Sequence, residues 1–200
     1  MKYYIIAGEA SGDLHGSNLI KALHRKQQNI SIRCWGGNKM ENAGATLVKH
    51  YKDLAFMGFT EVLKNLPTIL SNINFCKKDI ETFAPDVLIL IDYPGFNLRI
   101  AKWAKQKGIK VIYYISPQIW AWKEKRVHAI KRDVDKMLVI LPFEKDFYKK
   151  YNYDVDYVGH PLCEVINEWN ITNPTIEKEN IVALLPGSRK QEILDRKSVV

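Results

Sequence analysis

A short apolar run, Tyr3-Tyr-Ile-Ile-Ala7, is followed by glycines at positions 8, 12 and 16, and then by Leu19, Ile20 and Leu23 at helical spacing. Strand, glycine-bearing turn, helix is how an α/β protein builds a site at the carboxyl end of its sheet. Glycine lets a backbone approach a ligand closely, and a helix N-terminus offers unpaired N–H groups and a positive dipole. The turn also carries Glu9, Ser11, Asp13 and His15, more polar chemistry than packing needs. Its G-x-x-x-G-x-x-x-G spacing is neither the dinucleotide fingerprint nor a P-loop, and no Gly-Lys-Ser/Thr follows. A connection whose glycines serve tight packing therefore stands beside the ligand-site reading.

The same alternation runs through the chain. Strands are expected at 30–35, 46–48, 87–91, 109–115, 136–141, 155–158 and 181–185. Helical patterns fall at 40–45, at 56–83 with an interruption at Pro67, and at 98–107, 123–131 and 162–168. Val87-Leu-Ile-Leu-Ile91 is apolar without a break, the mark of a parallel strand buried on both faces. The βαβα order predicts a doubly wound, mostly parallel, Rossmann-like sheet. The polar segment 170–180, with Asn173-Pro174, reads as a linker between a domain over residues 1–169 and a strand–turn–helix over 181–200. That last piece opens a second α/β domain, which one strand and part of a helix do not complete.

A hydrophobic content of 46% with 26% charged residues is ordinary for a globular protein. No apolar run reaches the ~18 residues that a membrane-spanning helix needs, and the N-terminal run, ending at Glu9, reads as a strand and not a signal peptide. Cys34, Cys76 and Cys163 are an odd count without C-x-x-C spacing, which suits reduced thiols in the cytoplasm. The net charge of +8 suits nucleic acid, an anionic membrane surface or a phosphorylated ligand, or simply a lysine-rich solvated surface. Helix-turn-helix, RNP-like and zinc-finger patterns are all missing, which argues against nucleic acid.

Asp92 directly follows the run 87–91, where a carboxylate faces the ligand crevice and partial burial suits it to general-base work; the alternative is a turn residue before Pro94. Glu9 and Asp13 are further carboxylates for a base or for orienting a hydroxyl, although Asp13 also suits a helix cap. Ser116-Pro-Gln-Ile-Trp-Ala-Trp122 sits after the next strand, followed by Lys123, Lys125, Arg126, Lys131 and Arg132. Trp120 and Trp122 beside positive charge suit an anionic amphiphile or a membrane surface, or else the indoles are core and the helix has a solvated basic face. Residues 56–75 hold Phe56, Met57, Phe59, Val62, Leu66 and Ile69 at helical spacing, which reads as core packing or as an acyl-chain groove. His160 lies at the end of a strand, where a lone histidine is more often structural. The Asp133-Val-Asp135 and Asp154-Val-Asp156 pairs precede their strands, at the wrong sheet edge for a site, and no metal cluster is evident.

Taken together, Ala7-Gly-Glu-Ala-Ser-Gly-Asp13, Phe56-Met-Gly-Phe-Thr-Glu-Val-Leu63, Pro85-Asp86 through Ile91-Asp-Tyr-Pro-Gly-Phe-Asn97, Tyr114-Ile-Ser-Pro-Gln-Ile-Trp-Ala-Trp122, Leu141-Pro-Phe-Glu144, Val158-Gly-His-Pro161 and Leu184-Leu-Pro-Gly-Ser-Arg189 run in order over essentially the whole chain. In this the chain resembles the lipid-A-disaccharide synthases. The resemblance implies the N-terminal part of a GT-B glycosyltransferase, two Rossmann-like domains facing across a cleft. It implies transfer of 2,3-diacylglucosamine from its UDP donor to 2,3-diacylglucosamine 1-phosphate, with inversion, to give a β-1,6-linked disaccharide 1-phosphate and UDP at the cytosolic face of the inner membrane. No metal or other cofactor is implied.

By the same resemblance Asp92 matches the base for the acceptor hydroxyl. Glu9, Ser11, Gly12, Asp13, Asn97, Ser116, Trp120, Trp122 and His160 fall on the substrate side. Gly187, Ser188 and Arg189 fall on the donor side, where Arg189 suits a phosphate. Phe56, Met57, Phe59, Val62, Leu66 and Ile69 match a lipid-facing insert. Two positions depart from the family pattern: Gly95 stands where many members have an acid, and His15 where a less polar residue is common. The family's second domain lies beyond these residues, so the chain alone is expected to bind acceptor without turning over. The alternatives are a related nucleotide-sugar enzyme with a soluble substrate, and a non-catalytic lipid-binding module.

Overall fold

The computed structural model describes residues 1–54, 66–173 and 182. The chain divides into two units, residues 1–163 and 164–200. In the first, β1 (Lys2–Ala7), β2 (Ser31–Gly36), β3 (Thr46–His50), β4 (Val87–Ile91), β5 (Lys110–Tyr114), β6 (Lys136–Val139) and β7 (Asp156–Tyr157) form one sheet in the order β3-β2-β1-β4-β5-β6-β7. Every pairing is parallel. The order reverses between β1 and β4, where a ligand crevice opens at the carboxyl ends of a doubly wound sheet.

Period-2 alternation builds the two layers of core. Tyr4, Ile6, Leu88 and Leu90 pack on one face, and Tyr3, Ile5, Val87, Ile89 and Ile91 on the other. Each fully buried Ile or Leu contributes about 1.5–3 kcal/mol, so these two strands are the least replaceable part of the fold. The first face is covered by α3 (Leu66–Phe83), α4 (Pro94–Gln106), α6 (Val127–Asp133) and α7 (Pro142–Lys149). The second is covered by α1 (Ala10–Lys26) and α2 (Asn38–Asn42). A four-residue helix α5 (Ile119–Trp122) and a 3₁₀ turn (Glu124–Arg126) link β5 to α6, and α8 (Leu162–Thr172) ends the described run.

Two polar anchors fix helices to the sheet. Arg33 on β2 grips Asp79 of α3 bidentately, at 2.8 and 2.7 Å, while the Tyr4 hydroxyl donates to the same carboxylate at 2.6 Å. Asp13, buried in α1, accepts from the backbone N–H groups of Gly37, Lys39 and Met40 at 2.8, 3.2 and 3.0 Å. It thus caps a helix, as one reading of the sequence held, but that helix is α2 and not its own.

Several boundaries differ from expectation. The first helix starts at Ala10, so Ser11, Gly12, Asp13, His15 and Gly16 lie in its opening turns and not in a loop. The helical cost of its glycines is offset by close packing: a Cβ on Gly12 would lie 3.0 Å from that of Ala7, and one on Gly16 would lie 2.6 Å from Met40 Sδ. The fourth helix starts at Pro94 and not at 98, because proline is preorganised for a first helical position. Pro67 sits in the first turn of α3, and residues 55–65 before that helix lie outside the described residues. Residues 170–172 of the expected linker are helical. Ile69, expected to face lipid, is half-buried against the core with Ile73, Cys76 and Ile80, since i, i+4, i+7, i+11 spacing defines the covered stripe of α3. Its neighbour Leu70 is exposed, as is Phe75 on the same helix. Phe56, Met57, Phe59, Val62, Gly187, Ser188 and Arg189 lie outside the described residues, as does the strand expected at 181–185 apart from the exposed Val182, and of Leu66 only its place in α3 is described.

Asp13→Ala leaves three N–H groups at the start of α2 without their acceptor. Urea unfolding is expected to show a loss of about 2–3 kcal/mol. A loss below about 0.5 kcal/mol would remove this anchor from the account.

Candidate functional site

The turns after β1 and β4 meet at the switch point. Tyr93 lays its ring over Gly8 so closely that a Cβ there would stand 2.3 to 2.6 Å from three ring atoms. Burial, then the nearby Glu9 carboxylate, pushes the Tyr93 phenol above its ordinary range. Glu9 is half-buried at the N-cap of α1. The β1–α1 turn and the β4–α4 turn are therefore one packed unit.

Asp92 and Tyr93 both adopt left-handed backbone conformations, with φ of 43° and 49°. Two successive non-glycine residues in this region store strain, and they persist only when neighbours hold them. The holders are in place. The Asp92 carbonyl accepts from Asn97 Nδ2 at 2.8 Å and from the Tyr113 hydroxyl at 2.6 Å, while the Asp92 N–H donates to the Tyr114 carbonyl at 3.3 Å. Asn97 is fully buried, and its amide also donates to the Ile91 carbonyl at 3.2 Å. The clamp uses backbone atoms, so the half-buried Asp92 side chain is aimed by its own main chain.

The β5–α5 connection forms a third wall. Ile115 is left-handed, at φ 64°, and the buried Ser116 hydroxyl pairs with that of Tyr148 at 2.7 Å. The two indoles part company. Trp120 is half-buried edge-on against Phe143, with ring centroids 5.0 Å apart, whereas Trp122 is 81% exposed. Below this wall, Glu144 accepts from the N–H groups of Leu141 and Ile140 at 2.9 and 3.2 Å. Burial raises its carboxyl above the usual range despite those bonds.

His15 closes the site from α1. It is buried, and its Nδ1 lacks a hydrogen-bond partner among the described residues. Burial, and then the charge of His160, lowers its imidazole below the ordinary histidine range. His160 accepts from the Leu162 N–H through Nδ1 at 3.2 Å. The sheet thus carries Glu9, His15 and Asp92 at one edge, with Ser116 and Trp122 beyond them. Ser11 is exposed in the first turn of α1. Gly12, Asp13, Asn97 and Ser116 are buried and already engaged with protein atoms, so they position the walls. Among the described residues no group of three or more His, Cys, Asp or Glu could hold a metal ion. Tyr93 and Tyr113 are the site residues that sequence reading missed. An aromatic residue after the aspartate was visible, but not that Gly8 would lie beneath it.

A family model described as lipid-A-disaccharide synthetase matches residues 3–200. The lipid-A-disaccharide synthase of Syntrophus aciditrophicus (strain SB) is 45% identical over 195 residues, covering 94% of this chain and 51% of that protein. Lipid-A-disaccharide synthase 1 of Legionella pneumophila (strain Paris) is 45% identical over 196 residues, with the same coverage of 94% and 51%. The chain spans about half the length of the curated relatives it matches. Among solved structures, the UDP-GlcNAc 2-epimerase from Neisseria meningitidis bound to UDP-GlcNAc superposes with a TM-score of 0.58 at 13% identity, covering 87% of this chain and 51% of that one. The UDP-N-acetylglucosamine 2-epimerase from Rickettsia bellii gives 0.60 at 13%, covering 88% and 49%. At such identities the likeness establishes the fold, a doubly wound α/β unit.

Gly8→Ala must displace the Tyr93 ring, at about 1–3 kcal/mol. Adding Tyr93→Ala should recover most of that loss, because the two changes share one contact; strictly additive losses in a denaturation series would disprove the coupling. Because the folded-state pKa of His15 is lowered, the unfolded chain binds more protons, and stability falls as pH drops below about 6.5. His15→Leu should flatten that slope between pH 7 and 5, and an unchanged slope would assign it to other groups.

Proposed function

The chain belongs to the lipid-A-disaccharide synthetase family, and we propose that it forms the acceptor-side half of a glycosyltransferase that joins two acylated glucosamines. The observation that carries this reading is Asp92, held in a strained turn by Asn97 and Tyr113 at the switch point of the sheet. Backbone strain in a turn that carries a carboxylate at a ligand crevice is the usual company of a reacting group.

The donor is UDP-2,3-diacylglucosamine and the acceptor is 2,3-diacylglucosamine 1-phosphate. Asp92 takes the proton of the acceptor's 6-hydroxyl as that oxygen attacks the anomeric carbon of the donor. The bond from that carbon to the diphosphate breaks on the opposite face, UDP departs with its electron pair, and the configuration inverts. The clamp on its backbone keeps the half-buried Asp92 carboxylate in position to receive that proton. Glu9, beside Tyr93, lies where it orients the sugar. On the donor side, Arg189 in the Pro-Gly-Ser-Arg sequence supplies positive charge for the departing diphosphate, with Gly187 and Ser188 beside it in the chain. No metal or cofactor takes part.

The substrates' acyl chains place this work at the surface of the inner membrane. Phe56, Met57, Phe59, Val62 and Leu66 form the lipid-facing segment, and the net charge of +8 favours an anionic surface. Among the described residues no helix is long and apolar enough to cross a membrane. The protein works as a peripheral one, on the cytoplasmic side.

The test is formation of disaccharide 1-phosphate from the two lipid monosaccharides, by this chain and by the chain extended through a second domain. Activity is expected only in the extended form, where Asp92→Ala should lower kcat by about 10²- to 10⁴-fold with acceptor KM nearly unchanged. An Asp92→Ala enzyme with kcat within threefold of the parent would refute the assignment.

A further inference from the structure

Between the β4–α4 and β5–α5 connections lies a cleft of about 120 Å³ lined by Pro94, Pro117, Gln118, Trp122, Lys123 and Arg126. Sites for drug-sized ligands run from about 300 to 1,000 Å³, so this one suits a small head group and not a sugar nucleotide. It opens at the carboxyl ends of adjacent strands, next to the Asp92 turn. On its other side Trp122, Lys123 and Arg126 also border an open groove of about 610 Å³ that reaches Trp120.

The 3₁₀ turn decides which charges face the cleft. Side chains three apart eclipse in such a turn. Lys123 is its N-cap and Arg126 its last residue, so the two cations stand on one side and both line the cleft. The acid between them, Glu124, does not line the cleft, and its carboxylate accepts the Tyr151 hydroxyl. Lys125 borders the groove but not the cleft. Neither Lys123 nor Arg126 forms an ion pair with a described residue, whereas Arg33, Lys105, Lys107, Arg132 and Lys136 all do. Arg126 also acts electrostatically on the Tyr113 hydroxyl, the group that donates to the Asp92 carbonyl. Two cations in a small cleft, beside a clamped carboxylate and an exposed indole, are built for a phosphate on a larger amphiphile.

We propose that Lys123 and Arg126 hold the phosphate of the acceptor glycolipid in this cleft. The inference rests on the reading of the chain as the acceptor side. Arg126 pairs two guanidinium N–H groups with phosphate oxygens, Lys123 adds a point charge, and Trp122 covers the sugar or the base of an acyl chain. The contact selects a phosphorylated acceptor over its dephosphorylated form and weakens as salt rises.

The experiment is binding of 2,3-diacylglucosamine 1-phosphate and of unphosphorylated 2,3-diacylglucosamine to this chain, each in neutral detergent micelles. The parent chain should prefer the phosphorylated ligand by about tenfold or more, as expected for charge-assisted hydrogen bonds. Lys123→Gln with Arg126→Gln should abolish the preference while leaving the unphosphorylated ligand bound as before. Lys125→Gln, an equal change in charge outside the cleft, should keep it. These positions are exposed or half-buried, so the variants should retain the fold, which circular dichroism checks. A preference that survives the double substitution, or a parent chain that binds both ligands equally, overturns the phosphate site and leaves the acceptor reading standing. A parent chain that binds neither overturns both.

Discussion

Tyr93 lies over Gly8, and the site depends on that contact. The parallel sheet delivers the ends of β1 and β4 side by side, but adjacency alone would leave two independent loops. The ring makes them one body: it needs a residue without Cβ beneath it, and it follows directly on Asp92 in a turn where both residues are left-handed. The stored strain is tolerated because three hydrogen bonds tie the Asp92 backbone: its carbonyl accepts from Asn97 and Tyr113, and its N–H donates to the Tyr114 carbonyl. A carboxylate placed in this way cannot drift with its loop, and positional certainty is the first thing a general base needs.

Burial also sorts the polar residues of the site into two kinds. Asp13, Asn97, Ser116 and Glu144 are nearly inaccessible, and each is engaged by backbone or by another buried side chain. They build walls. Glu9, Asp92, Trp122, Lys123 and Arg126 keep access to solvent at the carboxyl edge of the sheet. The positive charge is not spread evenly over this edge. Beside β5 the 3₁₀ turn presents Lys123 and Arg126 together on one small cleft.

Much of this was legible before any coordinates. The unbroken run at 87–91 announced the most buried strand, and all five of its residues are buried. The alternation of strand and helix gave the doubly wound order, and the aspartate after that run was placed correctly at the switch point. Other features were not legible. The G-x-x-x-G-x-x-x-G pattern looked like a ligand-binding turn, yet its glycines pack against Tyr93, Ala7 and Met40, and most of the pattern lies within a helix. Spacing records where a side chain is missing, not what fills the space. Trp120 and Trp122, two residues apart, looked alike and differ in burial, because a four-residue helix turns one inward and the other out.

What the sequence by itself determined is the architecture and the chemistry at hand: apolar runs and their periodicity mark which segments become buried strands, since the alternation of side chains along a strand is a local pattern. It also carried the family resemblance, which motif order alone supports. Only the tertiary structure decided which polar residues hold the site together and which remain to meet a ligand. Asp13 capping α2, Asn97 gripping the Asp92 carbonyl and Tyr93 covering Gly8 join segments 5 to 85 residues apart. Pairings of that kind depend on where the sheet brings the chain back in space, and one-dimensional spacing contains no record of it.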